Sequence, residues 1–145
     1  MNIPRDPSFE TLGLGPPDLA FQEALKGAQE GEVHAQSNVA LFYATGEGVE
    51  KDFAEAMKWW RRAAEQGDEE ADYQIGNLYA HGWCVPQDHY EAAKYFHKAA
   101  VQGHPSAQYN LGIRFIRGEG VPLDLDQAYI WLDCHRLSRT DRLGL

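Results

Sequence analysis

The side chains best suited to chemistry lie in one loop of the sequence. His81, Cys84, Asp88 and His89 fall within nine residues, and cysteine, histidine and carboxylate groups are common zinc ligands. Their spacing matches no standard zinc site, and Asp88 also suits the position that precedes a helix. We therefore expect a variant loop with a partly buried Trp83 rather than a metal centre, and we expect no bound metal.

The sequence contains no arrangement of residues that is suited to nucleophilic catalysis. Cys134 and His135 are adjacent in a predicted helix, so their side chains point about 100° apart and cannot form a nucleophile–base pair. No Ser-x-x-Lys and no His-Glu-x-x-His occurs. The Gly-Glu-Gly segments at 46–48 and 118–120 follow predicted helices and lack a lysine at the phosphate-loop spacing, so we interpret them as turns. The sequence predicts no catalytic residue and no cofactor.

Composition and charge narrow the class of protein. The 145 residues carry 13 Lys and Arg against 22 Asp and Glu, so the formal net charge is −9. Binding to nucleic acid or to an anionic membrane needs a basic surface, and the charge argues against both. No apolar run approaches the roughly 18 residues of a membrane helix, and residues 1–17 contain no apolar signal-peptide stretch. We expect a cytoplasmic protein, or a periplasmic one if a signal peptide has been removed.

The elements that position these side chains come from an internal repeat of 36 residues. Eight sets of related residues recur three times at this spacing, which chance does not produce. The columns are Gly31, Gly67 and Gly103; Ala35, Ala71 and Ala107; Tyr43, Tyr79 and Phe115; Gly46, Gly82 and Gly118; Val49, Val85 and Val121; Asp52, Asp88 and Asp124; Ala56, Ala92 and Ala128; and Trp59, Tyr95 and Trp131.

Each unit of the repeat predicts two helices joined by a loop. In the middle unit the first helix is predicted over about residues 69–80, and the second begins at Asp88 and stops before Gly103. An aspartate N-cap and a Glu or Gln three residues later predict a capping box at the start of each second helix. These pairs are Asp52 with Glu55, Asp88 with Glu91, and Asp124 with Gln127. The pattern predicts an all-α fold.

Small residues occupy one column inside the first helix, at Ala40, Gly76 and Gly112. A glycine in the middle of a helix costs about 1 kcal/mol relative to alanine. We therefore expect it to permit close approach of another helix, with the aromatic column of Trp59 filling the space beside it. Trp60, in the next column, is predicted to lie on the buried inner face.

The repeated pattern resembles the Sel-one-like repeat (SLR) family, relatives of the tetratricopeptide repeats. The resemblance rests on the Gly-x-Gly-Val loop and the Ala-Ala-x-x-Gly helix end at fixed spacing, and it covers about residues 20–135. It implies an all-α, right-handed α/α superhelix, a solenoid of about three and a half helix-turn-helix repeats. The implied boundaries are an N-terminal extended arm at 1–17, a half unit at 18–31, units at about 32–67, 68–103 and 104–137, and a C-terminal tail at 138–145.

The last unit departs from the pattern, because the Ala-Ala pair becomes His135-Arg136. Polar residues suit a terminal cap, against which no further helix packs. A chain cut short is the alternative, and it would leave Trp131, Leu132 and Leu137 at an exposed end. We expect a monomer, with a dimer through the C-terminal end as the alternative.

The cysteines are too few for a disulfide framework. Cys84 and Cys134 lie in different units, whereas the disulfide-rich members of the SLR family pair cysteines within one unit. The resemblance therefore argues against a disulfide between them.

The resemblance to tetratricopeptide repeats also implies which residues face a partner, because the first helices line the concave side of such arrays. The corresponding positions are His34, Ser37, Leu41 and Ala44 in the first unit, Glu70, Tyr73, Asn77 and His81 in the second, and Ser106, Tyr109, Ile113 and Arg117 in the third. Tyr73 and Tyr109 suit an interface, since tyrosine supplies rigid contact area with a polar tip. The alternative is that both pack between neighbouring helices.

These expectations favour a protein-interaction module without chemistry of its own. The resemblance implies a bacterial adaptor or regulator that binds a protein or peptide through its concave face. An immunity protein that neutralises a secreted toxin or enzyme is the first alternative. Binding or hydrolysis of β-lactams, to which some SLR proteins have been linked, is the second, and the missing Ser-x-x-Lys argues against it.

Overall fold

The computed structural model describes the backbone of residues 18–142 and the side chains as far as Ser138. This part of the chain forms seven α-helices and no strand. They are α1 (Leu19–Gln29), α2 (Val33–Thr45), α3 (Phe53–Glu65), α4 (Glu69–His81), α5 (His89–Val101), α6 (Pro105–Arg117) and α7 (Leu125–Arg142). The all-α prediction is confirmed, and the predicted arm at 1–17 lies outside the described residues.

The chain divides into two compact units, Met1–Ala63 and Ala64–Leu145. In the first unit α1 packs on α2, and the buried ring of Phe21 meets Phe42 and Tyr43 edge-on at 5.9 and 5.4 Å between ring centroids. Edge-to-face contacts of this kind add to the free energy of apolar burial. Trp60 of α3 is only 2% exposed, which confirms its predicted burial.

The second unit is built from helix pairs. Helix α4 packs on α5, α6 packs on α7, and α5 packs on α6. A cluster of Ala99, Ala100, Ala107 and Leu111 fills the space between them, with Tyr73, Phe115 and Trp131 packed against it. Small alanines at this position let the helices approach closely.

The aspartate caps of the second helices are confirmed, but the reciprocal half of each capping box is wrong. Oδ1 of Asp52 accepts from the amide of Glu55 at 3.1 Å. The amide of Asp52, however, donates to the carbonyl of Tyr43 at 2.9 Å instead of to the Glu55 carboxylate. The same backbone bond recurs from Asp88 to Tyr79 and from Asp124 to Phe115. These bonds close the connection between the two helices of each repeat.

The small-residue column does allow close helix approach. A Cβ built on Gly76 would lie 2.9 Å from the ring of Phe96, and one on Gly112 would lie 2.8 Å from Leu132 Cγ. The space beside the glycines is therefore filled by the column of Trp60, and not by that of Trp59 as the sequence suggested. The adjacent helix turns this next position toward the glycine because a helix residue points about 100° away from its neighbour.

Candidate protein-interaction surface

The first unit holds four of the predicted positions, all on α2. His34 is exposed, Leu41 is 48% exposed, and Ser37 is half-buried. Ala44, one turn beyond Leu41, is also half-buried. The exposed leucine is the feature of this helix that could serve a partner.

In the second unit, the start of α4 is occupied by contacts to His104. Tyr73 stacks on the His104 ring at 4.5 Å between centroids, with 23° between the planes, and it also meets Phe96 at 5.6 Å. Glu70 Oε2 lies 2.5 Å from His104 Nε2. Tyr73 therefore packs between neighbouring elements, which is the second of the two interpretations that the sequence left open.

His104 is the residue that sequence reasoning missed. Its Nδ1 accepts from the amide of Ala107 at 3.1 Å, so the imidazole caps the N-terminus of α6. An accepting Nδ1 leaves the ring proton on Nε2, which donates to Glu70. This hydrogen bond lowers the pKa of the Glu70 carboxyl from its ordinary value, against the smaller opposing effect of burial. Histidine is not among the preferred caps, so its type alone gave no signal.

The end of α4 presents an exposed aromatic pair. His81 Nδ1–H donates to the carbonyl of Asn77 at 2.9 Å, and the imidazole stacks on Trp83 at 4.2 Å between centroids with 10° between planes. Trp83 is 43% exposed, more than the sequence suggested, and Asn77 is half-buried. The stack holds two flat rings at the surface, where they can contact a partner without further ordering.

The loop considered for zinc has other contacts. Within the described residues, no group of three or more His, Cys, Asp or Glu side chains is placed to hold a metal. Asp88 caps α5, with Oδ1 accepting from the amide of Glu91 at 3.0 Å. Neither Cys84 nor Cys134 forms a disulfide. Cys84 has φ +60°, a left-handed conformation that the equivalent positions of the other repeats fill with Gly48 and Gly120.

Helix α6 carries the most accessible of the predicted tyrosines. Tyr109 is 49% exposed, with its ring 5.4 Å from that of His135. Arg117 and Ser106 are exposed as well, and Ile113 is half-buried. We use the name first-helix surface for Asn77, His81, Ser106, Tyr109, Ile113 and Arg117, the predicted residues of α4 and α6 other than Glu70 and Tyr73, which contact His104.

A buried arginine lies on the opposite side of α6. Arg114 is 8% exposed, although the repeats before it have Phe42 and Leu78 in this column. Its guanidinium lies 5.0 Å from the Phe96 ring centroid and 3.2 Å from His89 Nδ1. Burial lowers the pKa of Arg114, and the nearby Glu119 carboxylate opposes that shift. A charged residue in an apolar column was the available sequence signal for this site.

A second column places a carboxylate where the other repeats have an amide. Gln36 and Gln108 donate from Nε2 to the carbonyls of Ala28 and Ala100 at 3.2 and 3.3 Å. Asp72, the third member, is 5% exposed and cannot donate when ionised. Burial raises the pKa of Asp72, partly offset by the Lys98 ammonium. Gln36 and Gln108 therefore each join two neighbouring helices through a hydrogen bond that an ionised Asp72 cannot donate.

The helices are too short or too polar for a bilayer. No helix within residues 18–142 has the length and apolar character needed to cross a membrane.

Comparisons with known proteins agree with the repeat architecture. The family profile of the Sel1 repeat matches residues 33–68, 69–104 and 105–134. No curated protein matches the chain significantly. A solved Sel1 repeat protein from Oxalobacter formigenes is 31% identical, with a TM-score of 0.74 over 86% of this chain and 97% of that one.

Two further solved structures are similar to the chain. The first is c5321, a protective antigen present in uropathogenic Escherichia coli strains that displays an SLR fold. It is 37% identical with a TM-score of 0.78, over 82% of this chain and 26% of that one, so the chain spans about a quarter of its length. Helicobacter pylori cysteine rich protein B (hcpB), 20% identical with a TM-score of 0.68 over 86% of this chain and 93% of that one, shares the fold.

The profile matches and the Oxalobacter formigenes relative confirm the resemblance that the sequence predicted. Proteins built from this repeat are helical scaffolds, typically non-enzymatic, and generally serve as protein-interaction modules. The chain therefore belongs to the Sel1 repeat family and has its all-α solenoid fold.

Proposed function

We propose that the chain is an adaptor or regulator that binds a protein or peptide through the first-helix surface. The observation that carries the proposal is the exposure of Tyr109, 49% accessible on α6. The exposed stack of His81 and Trp83 at the end of α4 supports it. Tyrosine and tryptophan are the residues most enriched at the energetic centres of interfaces, because they supply much contact area at low conformational cost.

The net charge of the chain favours one class of partner. The chain carries a formal net charge of −9, so a basic protein or peptide would be attracted over a distance of about a Debye length. Exposed charges steer the encounter more than they hold the complex. Binding of a basic partner should therefore become slower to form as salt rises, with less change in its dissociation rate.

A pull-down from bacterial lysate tests the proposal with three variants. Tyr109→Ala and His81→Ala each remove part of the first-helix surface, and Tyr90→Ala is the matched control. Tyr90 is a tyrosine of the second helix α5 and is 63% exposed, so its truncation removes as much accessible ring without touching the first helices. Tyr73→Ala is unsuitable, because Tyr73 packs against Phe96 and His104.

The expected result is a protein captured by the wild type and by Tyr90→Ala but lost from the other two variants. Titration of the captured protein against the same four chains should then show at least a tenfold weaker Kd for Tyr109→Ala, which is about 1.4 kcal/mol. Equal capture by all four chains would place binding elsewhere and overturn the assignment. Capture of nothing by the wild type would overturn the adaptor proposal itself.

A further inference from the structure

The last helix leaves an apolar face without a partner among the described residues. On α7, Tyr129 is 73% exposed, Ile130 is 50% exposed and Leu137 is 49% exposed. The opposite side of α7 packs on α6, where Ala128 is 2% exposed and His135 Nδ1–H donates to the carbonyl of Pro105 at 2.8 Å. The exposed apolar residues are therefore not those that hold α7 in place.

The positions equivalent to Tyr129 in the earlier repeats are buried. Position 129 corresponds to Met57 and Ala93, which are 6% and 3% exposed. Helix α5, which carries Ala93, packs on α6, the next helix along the chain. The earlier residues of this column are thus buried, whereas Tyr129 is 73% exposed.

Another repeat of the same kind would fit the face poorly. The earlier repeats have alanine at the position of Arg136, namely Ala64 and Ala100, and Met57 and Ala93 at the position of Tyr129. A tyrosine ring and a guanidinium would hold an incoming helix away from the close spacing that alanines permit. The occupant must therefore pack with a different geometry.

The charges of the face are complementary to a second copy. Asp126, Tyr129, Asp133 and Arg136 follow one another at intervals of three and four residues, so they share one side of α7. Asp126 lies in the first turn of α7, and Arg136 lies about 15 Å further along the helix at 1.5 Å per residue. In an antiparallel pair of α7 helices, the acidic end of one copy meets the arginine of the other at both ends of the contact.

We propose that two copies of the chain associate through antiparallel α7 helices. The twofold axis that relates them passes between the two helices at the level of residue 131. This register sets Asp126 of each copy opposite Arg136 of the other. It also brings Leu125, which is 63% exposed, to the same height along the pair as Leu137 of the other copy, at the edges of the contact. A twofold axis makes each contact twice, as in most soluble homodimers.

The contact between Arg136 and Asp133 does not oppose this arrangement. Arg136 Nη2 lies 2.8 Å from Asp133 Oδ1 within α7, with the two side chains 69% and 35% exposed. An ion pair between exposed side chains in one helix is worth little. The Asp133 contact therefore does little to prevent an additional bond from Arg136 to Asp126 of a second copy.

Sedimentation equilibrium of the full chain, between about 1 μM and 1 mM, tests the proposal. We expect a reversible equilibrium between the 16.3 kDa monomer and its dimer. Tyr129→Ala should raise the dimer Kd at least tenfold, because it removes the largest exposed ring of the face. Tyr90→Ala, a comparably exposed tyrosine on α5, should leave the Kd unchanged. Thermal unfolding by circular dichroism checks that each variant is folded.

A charge exchange tests the register. Asp126→Arg makes the face basic at both ends and Arg136→Asp makes it acidic at both ends, so each variant alone should dimerise at least tenfold more weakly than the wild type. An equimolar mixture of the two should restore dimerisation, because each basic end then meets an acidic one.

Four results would overturn the proposal. A wild type that stays monomeric up to about 1 mM has no dimer interface of useful affinity. A dimer that Tyr129→Ala and the charge variants leave unchanged has its interface elsewhere. A mixture of the charge variants that stays monomeric excludes the antiparallel register. If the chain does not self-associate, and the wild type captures a protein from lysate that Tyr129→Ala does not, the face belongs to a different partner.

Discussion

His104 and Glu70 are 34 residues apart in the chain, yet their Nε2 and Oε2 atoms lie 2.5 Å apart. The contact joins the first turn of α4 to the residue that caps α6. The histidine side chain is 11% exposed and the glutamate side chain is 49% exposed, so the pair lies at the edge of the core. One imidazole thus caps a helix, binds a carboxylate and covers the ring of Tyr73.

The Glu70 carboxylate should make a small and pH-dependent contribution to the free energy of unfolding. Its pKa is lowered in the folded chain, so the contribution is present above the ordinary carboxyl pKa and is lost as the pH falls through the folded value. Because the side chain is half exposed, Glu70→Gln should cost less than about 1 kcal/mol at pH 7. Urea unfolding at pH 7 and pH 3 measures it, with the adjacent exposed Glu69→Gln as control. A cost that persists at pH 3 would contradict an electrostatic origin.

The cap made by His104 should be replaceable by another acceptor. His104→Ala leaves the amide of Ala107 without its side-chain partner, and it should lower the free energy of unfolding by about 1–2 kcal/mol. His104→Asn offers a carbonyl oxygen to the same amide and should recover about half of that loss, but not the stacking on Tyr73. Urea unfolding at pH 7 compares the two variants. Equal losses would show that the cap contributes nothing.

Asp72→Gln should stabilise the protein. The amide of glutamine at this position can donate to the carbonyl of Ala64, as Gln36 and Gln108 donate to Ala28 and Ala100. A satisfied buried hydrogen bond in place of a buried carboxylate should be worth about 1 kcal/mol.

The gain from Asp72→Gln should depend on pH in a known direction. Burial raises the pKa of Asp72 in the folded chain. The buried carboxylate therefore lowers the free energy of unfolding of the wild type above that raised pKa, and this loss is absent below the ordinary carboxyl pKa. The difference in free energy of unfolding between the two chains should therefore be largest at neutral pH and shrink toward pH 3. Gln108→Asp is the reciprocal control and should destabilise the chain at pH 7. An unchanged melting temperature for both variants would show that an amide donor at these positions does not stabilise the chain.

Trp60→Ala should be among the most damaging single changes in the chain. Trp60 is 2% exposed, and truncation of a buried aromatic side chain costs about 3–5 kcal/mol. Domains of this kind are stable by about 5–15 kcal/mol in total, so the melting temperature should fall by many degrees. Tyr90→Ala, on an exposed ring, should shift it little. Differential scanning calorimetry of the two variants and the wild type makes the comparison.

Features that depend on neighbours in the chain could be predicted from the sequence. The 36-residue repeat, the all-α fold, the aspartate caps and the burial of Trp60 all follow from spacing along a helix and from the chemistry of its ends. The second half of each capping box was wrong because the amide of Asp52 has a competing acceptor, the carbonyl of Tyr43, nine residues earlier. That competition arises only when the two helices of a repeat are folded together.

The environment of side chains that are equivalent in the repeat was decided by the tertiary structure. Tyr73 and Tyr109 occupy the same column, and the sequence alone does not distinguish them. Tyr73 is covered because His104 and Phe96 are brought onto it from other helices, whereas Tyr109 is left half exposed beside His135. In the same way, Met57 and Ala93 are buried, whereas Tyr129 in the same column is exposed. The sequence determined which faces the helices have, and packing between distant residues decided which of those faces are covered, because burial depends on the elements that arrive from elsewhere in the chain.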